Sequence, residues 1–153
     1  ILAEGSSSRL YQALVEEEQI ALDIDAWQSG GFDPGLAYFA MTLTPGGDPL
    51  AAEARLLSLL DAVVLEGVTA EELTKARNLR LASFWRSLQT INGKASALGN
   101  YEIFTGDYEN LFAVPEQLGA ATTAELQAVA ANVFRRSNMT VGVLGAPLEE
   151  GEE

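Results

Sequence analysis

Asp23, Asp25 and Trp27 stand at alternate positions, and their types and spacing are suited to chemistry. Residues two apart on a strand share a face, so two carboxylates and an indole would line one surface able to receive a peptide. The same pair is a formal candidate for metal or acid–base work, although i,i+2 carboxylates are common on strands. Equally, the three form the solvent face of an edge hairpin. Arg9 offers a guanidinium that takes a peptide or partner carboxylate through parallel bonds. A local ion pair, with an acid such as Glu4, or a helix-end cap is its competing role. Ser6, Ser7 and Ser8 carry hydroxyls without a base to activate them, so they read as helix caps.

The chain has 153 residues with no histidine and no cysteine. That count removes Ser-His and Cys-His nucleophilic pairs and the nitrogen and sulfur ligands that zinc prefers. Carboxylates remain, and they suit calcium or magnesium better. No catalytic residue and no metal site is therefore expected in the chain itself. A formal charge of −13 argues against nucleic acid, whose binding rests on Lys and Arg, and against anionic membrane surfaces. It would steer basic peptides, or simply keep the surface solvated. No stretch approaches the roughly 18 apolar residues of a membrane span. The opening Ile1-Leu2-Ala3, without Met, reads as the end of a helix in a cut-out fragment whose targeting segment lay upstream.

The elements that must hold these residues follow from period and caps. Leu10, Ala13 and Leu14 share a helical face, giving a helix over about 7–17. After Gln19 the period becomes two: Leu22, Ile24 and Ala26 point one way, Asp23, Asp25 and Trp27 the other. A turn rich in Gly, Asp and Pro over 29–35 joins strands 21–28 and 36–44 into a hairpin. Asp48-Pro49 opens a helix that Gly67 stops. Thr69-x-x-Glu72 is a capping box for a helix to about Gln89. Asn92-Gly93 reads as a break, after which a helix runs to Gly106. Residues 108–118 predict a shorter helix interrupted by Pro115. Thr122-x-x-Glu125 caps a helix to Phe134, and 138–144 predicts a last strand. Phe84, Trp85, Tyr101, Phe104, Tyr108 and Phe112 read as core or inter-helix packing. The order gives an α+β fold with helices on one face of an antiparallel sheet, as a single domain over 1–147 and an acidic tail over 148–153.

Gly5-x-x-Ser8-Arg9-Leu10-Tyr11-x-x-Leu14-Val15, followed by Gln19-Ile20-Ala21 before a strand, resembles the second half-domain of the pitrilysin/insulinase zinc peptidases. The resemblance continues through Pro45-Gly46-Gly47-Asp48-Pro49, Gly67-Val68-Thr69-Ala70-Glu71-Glu72-Leu73, Lys75-Ala76-Arg77, Thr123-Ala124-Glu125-Leu126, and Met139 to Pro147. It implies the non-catalytic half of a zinc metalloendopeptidase of the bacterial processing-peptidase-like type, closing a peptide chamber against a zinc-bearing half. That half would lie in the same polypeptide or a separate subunit. It also implies a strand and helix ahead of residue 1, whose absence would favour a homodimer of the fragment. A parent in the periplasm or cell envelope is implied too. Arg9 and Tyr11 match family positions, and with Asp23, Asp25 and Trp27 they are the candidate substrate-binding set. The family's Arg and Tyr that hold the substrate carbonyl are replaced here by Val15 and Leu22. That departure favours the rival reading, an inactive structural or interaction module of the same fold.

Overall fold

The computed structural model describes residues 1–31, 33 and 35–145. Two turn residues, Phe32 and Pro34, and residues 146–153, which include the acidic tail, lie outside them. Among the described residues two antiparallel strands, β1 (Ala21–Gln28) and β2 (Ala37–Leu43), are joined as a hairpin. Six α-helices accompany them: α1 (Arg9–Tyr11), α2 (Pro49–Glu66), α3 (Ala70–Ser87), α4 (Ile91–Thr105), α5 (Asn110–Ala120) and α6 (Thr123–Val133). The fold is α+β, with helices against one face of the sheet.

The expected first helix has two parts. After α1 the chain widens into a π-helical stretch, Gln12–Glu17, in which Glu18 N–H bonds to Ala13 C=O at 3.0 Å. Gln19 then takes φ +53°, and Ile20 N–H bonds back to Leu14 C=O at 3.0 Å. A left-handed residue closes a helix end in this way, and the strand starts at once. The wider turn keeps Leu10 and Leu14 inward; with Ala21, Ile24 and Leu60 they form the core between helix, sheet and α2. Ile1–Ala3 is not helical; the carbonyls of Ile1 and Leu2 instead accept from Arg9 and Leu10 N–H.

The caps form as their chemistry requires. Asp48 accepts from Leu50 N–H at 2.9 Å, and both threonine capping boxes close. Asn92-Gly93 does not break a helix. Thr90 caps α4 by accepting from Gly93 N–H at 3.0 Å, so the break falls just before it. A Cβ on Gly93 would lie 1.9 Å from Ser87 C=O, so glycine is needed there for close approach, not for a turn. Pro115 sits inside α5 without ending it; the cost is one forgone N–H bond to the preceding turn.

Two expectations fail. Residues 136–138 form a single 3₁₀ turn, and Met139–Leu144 pair with no strand among the described residues. The alternating apolar pattern is present, but a strand needs a neighbour for its backbone groups. The aromatic residues of α3–α5 do not build a core either. No residue of α3 or α4 is buried, and Trp85 and Phe112 are 55% and 65% exposed.

Arginines tie the elements together. Arg55 pairs with Glu18 at 2.6 Å, fixing α2 to the end of the π-helical stretch. Arg77 donates to Leu118 and Ala121 C=O at 2.9 and 2.8 Å, capping α5 with a cation where its dipole is negative. Gln127 caps the end of α2 by hydrogen bonds alone, its neutral amide donating to Val64 and Leu65 C=O at 2.9 and 3.1 Å.

Candidate functional site

The hairpin sets the geometry. Register pairs Ala21 with Leu43 but Asp23 with Thr42, so Leu22 has no partner and forms a β-bulge. The bulge lets Ala21 and Ile24, three apart, both point into the core. Leu22 does not share their face, as simple alternation predicts; it is 58% exposed. Beyond the bulge alternation resumes. Asp23, Asp25 and Trp27 stand on the outer face with their partners Thr42, Ala40 and Tyr38. Trp27 stacks on Tyr38, ring centroids 5.1 Å apart and planes 10° apart, and the indole is 52% exposed.

Asp25 and Trp27 also border a groove of about 880 Å³, whose far side is made by Ala3, Glu4, Gly5 and Arg80 of α3. Asp23 shares the strand face but not the groove. The sequence pointed to the strand residues; Glu4 and Arg80 carried no local signal, because only the tertiary fold brings them opposite β1. Tyr38 was legible only through the hairpin register.

Arg9 and Tyr11 stand apart from this groove. Arg9 crosses to Glu72 at the start of α3, with Nη2 donating to Oε2 at 2.7 Å and Nε donating to Oε1. Glu72 simultaneously accepts from Thr69 N–H at 2.7 Å. The Arg9 guanidinium, helped by Thr69, pulls the Glu72 carboxyl from 4.5 to about 2, and Arg9 is raised in return, chiefly by its bond to Glu72. The acid that Arg9 meets is thus Glu72, not Glu4. Tyr11 packs beside the core. The serines are not side-chain caps of α1. Ser8 stands at the N-cap without a side-chain bond, and its buried Oγ has no partner. Ser7 C=O instead accepts from Lys75 Nζ at 3.1 Å.

The donor set does not fit zinc. Imidazole and thiolate are absent from the sequence, and the described residues contain no group of three or more acidic side chains able to hold a metal. No helix among them is long and apolar enough to cross a membrane.

Residues 1–80 match the family model described as the peptidase M16 inactive domain. The chain belongs to that family. This M16 inactive domain is 31% identical to a crystal structure from Bordetella pertussis Tohama I assigned as a zinc protease, covering 92% of this chain and 77% of that one, with TM-score 0.79. It is 30% identical to the inactive peptidase domain of a protein from Bordetella parapertussis with the same assignment, covering 97% and 82%, again at TM-score 0.79. The uncharacterised zinc protease YmxG of Bacillus subtilis (strain 168) is 26% identical over 139 residues, which are 88% of this chain. The M16 inactive domain spans 32% of the length of YmxG.

Proposed function

We propose that this domain is the non-catalytic half of a zinc-dependent metalloendopeptidase, forming part of a peptide-enclosing chamber and supporting proteolysis by a zinc-bearing half elsewhere. The observation that carries the reading is its surface. A compact protein of 16.3 kDa presents about 7,500 Å² to solvent; this chain presents 10885 Å². Exposed apolar side chains of α3–α5, Leu79, Trp85, Ile91, Ile103 and Phe112 among them, contribute to that surface, and large exposed apolar patches mark interfaces. Membership of an inactive peptidase-domain family supports a zinc-bearing half as the neighbour that would cover it. With no zinc ligands of its own, the domain would contribute by orienting an extended peptide and excluding water.

The test is reconstitution. The chain alone, given zinc, should not cleave a quenched fluorogenic peptide. Mixed with the zinc-bearing half of the same parent, it should raise turnover in a saturable way. No gain at saturating concentration would reject the chamber role. It would favour the second reading, an inactive structural or interaction module, which Leu22 supports by presenting an exposed alkyl group where the family has a substrate-holding tyrosine.

A further inference from the structure

We propose that the cavity between the Ser7–Ser8 segment and the first three turns of α3 binds a free α-amino acid with an aliphatic side chain. Ser8 is the residue that calls for an occupant. It is 2% exposed. Its N–H donates to Gly5 C=O at 3.0 Å, and its C=O accepts from Gln12 N–H at 2.9 Å. Its Oγ has no partner, and a buried hydroxyl left unpaired is costly. Ser8 lines a cavity of about 270 Å³, and the hydroxyl is the polar group it has left to offer there. The volume is several times the ~30 Å³ share of one water. It falls just short of the ~300 Å³ at which pockets for drug-sized ligands begin, so it suits a small metabolite.

The walls specify the chemistry. Lys75 Nζ donates to Ser7 C=O at 3.1 Å and to Ser7 Oγ, which leaves one of its three protons. With the Ser8 hydroxyl that makes two donors near the start of α3, where the helix dipole favours negative charge. Two donors match the two oxygens of a carboxylate. Three acids also line the cavity. Glu72 is held by Arg9. Glu4 attracts the α-ammonium of Ile1, whose pKa burial lowers against the pull of that acid. Glu71 has no partner among the described residues and is left to receive a cation. One place for a carboxylate and one for an ammonium remain. Glu72, Lys75, Ala76 and Leu79 follow at i, i+3, i+4 and i+7 and share one face of α3. Polarity therefore falls along the cavity from the capped end toward Ala76 and Leu79. A zwitterionic head at the first turn, with its alkyl chain laid toward Leu79, fits that gradient. The inference does not rest on the chamber reading.

L-Leucine titrated into the full chain should bind saturably by calorimetry and shift the amide signals of Ser8, Lys75 and Ala76. Isocaproate, which lacks the ammonium, and isoamylamine, which lacks the carboxylate, should each bind at least about tenfold more weakly. Ser8→Ala should weaken leucine by about tenfold without lowering the unfolding midpoint, because Oγ holds nothing else in the fold. Glu71→Gln should weaken leucine but not isocaproate, and it serves alone if Ser8→Ala misfolds. An absence of saturable binding would overturn the proposal and leave water as the partner of the Ser8 hydroxyl. Isoamylamine binding as tightly as leucine would overturn it in favour of plain cation attraction to a chain of charge −13. Leucine binding that neither variant weakens would place the ligand elsewhere and overturn it too.

Discussion

Arg9 and Glu72 meet 63 residues apart in sequence, joining the first helical turn of the chain to the first turn of α3. The same carboxylate closes the capping box with Thr69, so one side chain both starts a helix and anchors another to it. Glu72 is ionised at lower pH in the folded chain than in the unfolded one. Its contribution is therefore full above about pH 4.5 and disappears as pH falls toward 2. We expect Glu72→Gln to cost about 1 kcal/mol at pH 7, with the gap to the unmodified chain closing by pH 2. Urea titrations of both proteins across pH would measure it; a constant gap would show that the loss is packing and not charge.

Arg77 should behave differently, because its acceptors are backbone carbonyls that do not titrate. Arg77→Met leaves the end of α5 uncapped and should cost about 1 kcal/mol at any pH between 4 and 9. Denaturant midpoints, with exchange rates of the last amides of α5, would check it.

Two glycines of α4 should respond with opposite signs. Gly93→Ala drives a methyl into Ser87 C=O and should destabilise by about 1–3 kcal/mol. Gly99 has nothing within 4 Å of a Cβ, so Gly99→Ala should stabilise by up to about 1 kcal/mol through helix propensity. Thermal melts of the pair decide this, and a loss in both would mean that α4 packs on something at Gly99.

Leu14 lies fully buried between helix, sheet and α2. Leu14→Ala should lower stability by about 2–5 kcal/mol, whereas Leu65→Ala, on the exposed side of α2, should change it by less than about 0.5 kcal/mol. Equilibrium unfolding in urea compares them directly.

Much of this fold is written locally. Asp48-Pro49, Thr69-x-x-Glu72 and Thr122-x-x-Glu125 are read within four residues because a cap is a bond to the next turn. The partners of Arg9, Arg55 and Arg77 had no such signal, since they are chosen by how helices pack. Asn92-Gly93 misled because glycine serves tight approach as well as turns. Residues 139–144 misled because alternation shows that a strand is possible, not that a neighbour is present. At the groove, Asp25 and Trp27 were legible as a strand face, while Glu4 and Arg80 come from other elements and became visible only once these were packed.

Within β1, Leu22 is the surplus residue: removing it would bring Ala21 and Asp23 against Leu43 and Thr42 as an uninterrupted ladder, with the inward and outward sets on both sides unchanged. The scaffold therefore neither specifies nor depends on what stands at position 22. A substitution at that position would change what the outer face of the hairpin presents while leaving the ladder and the core as they are.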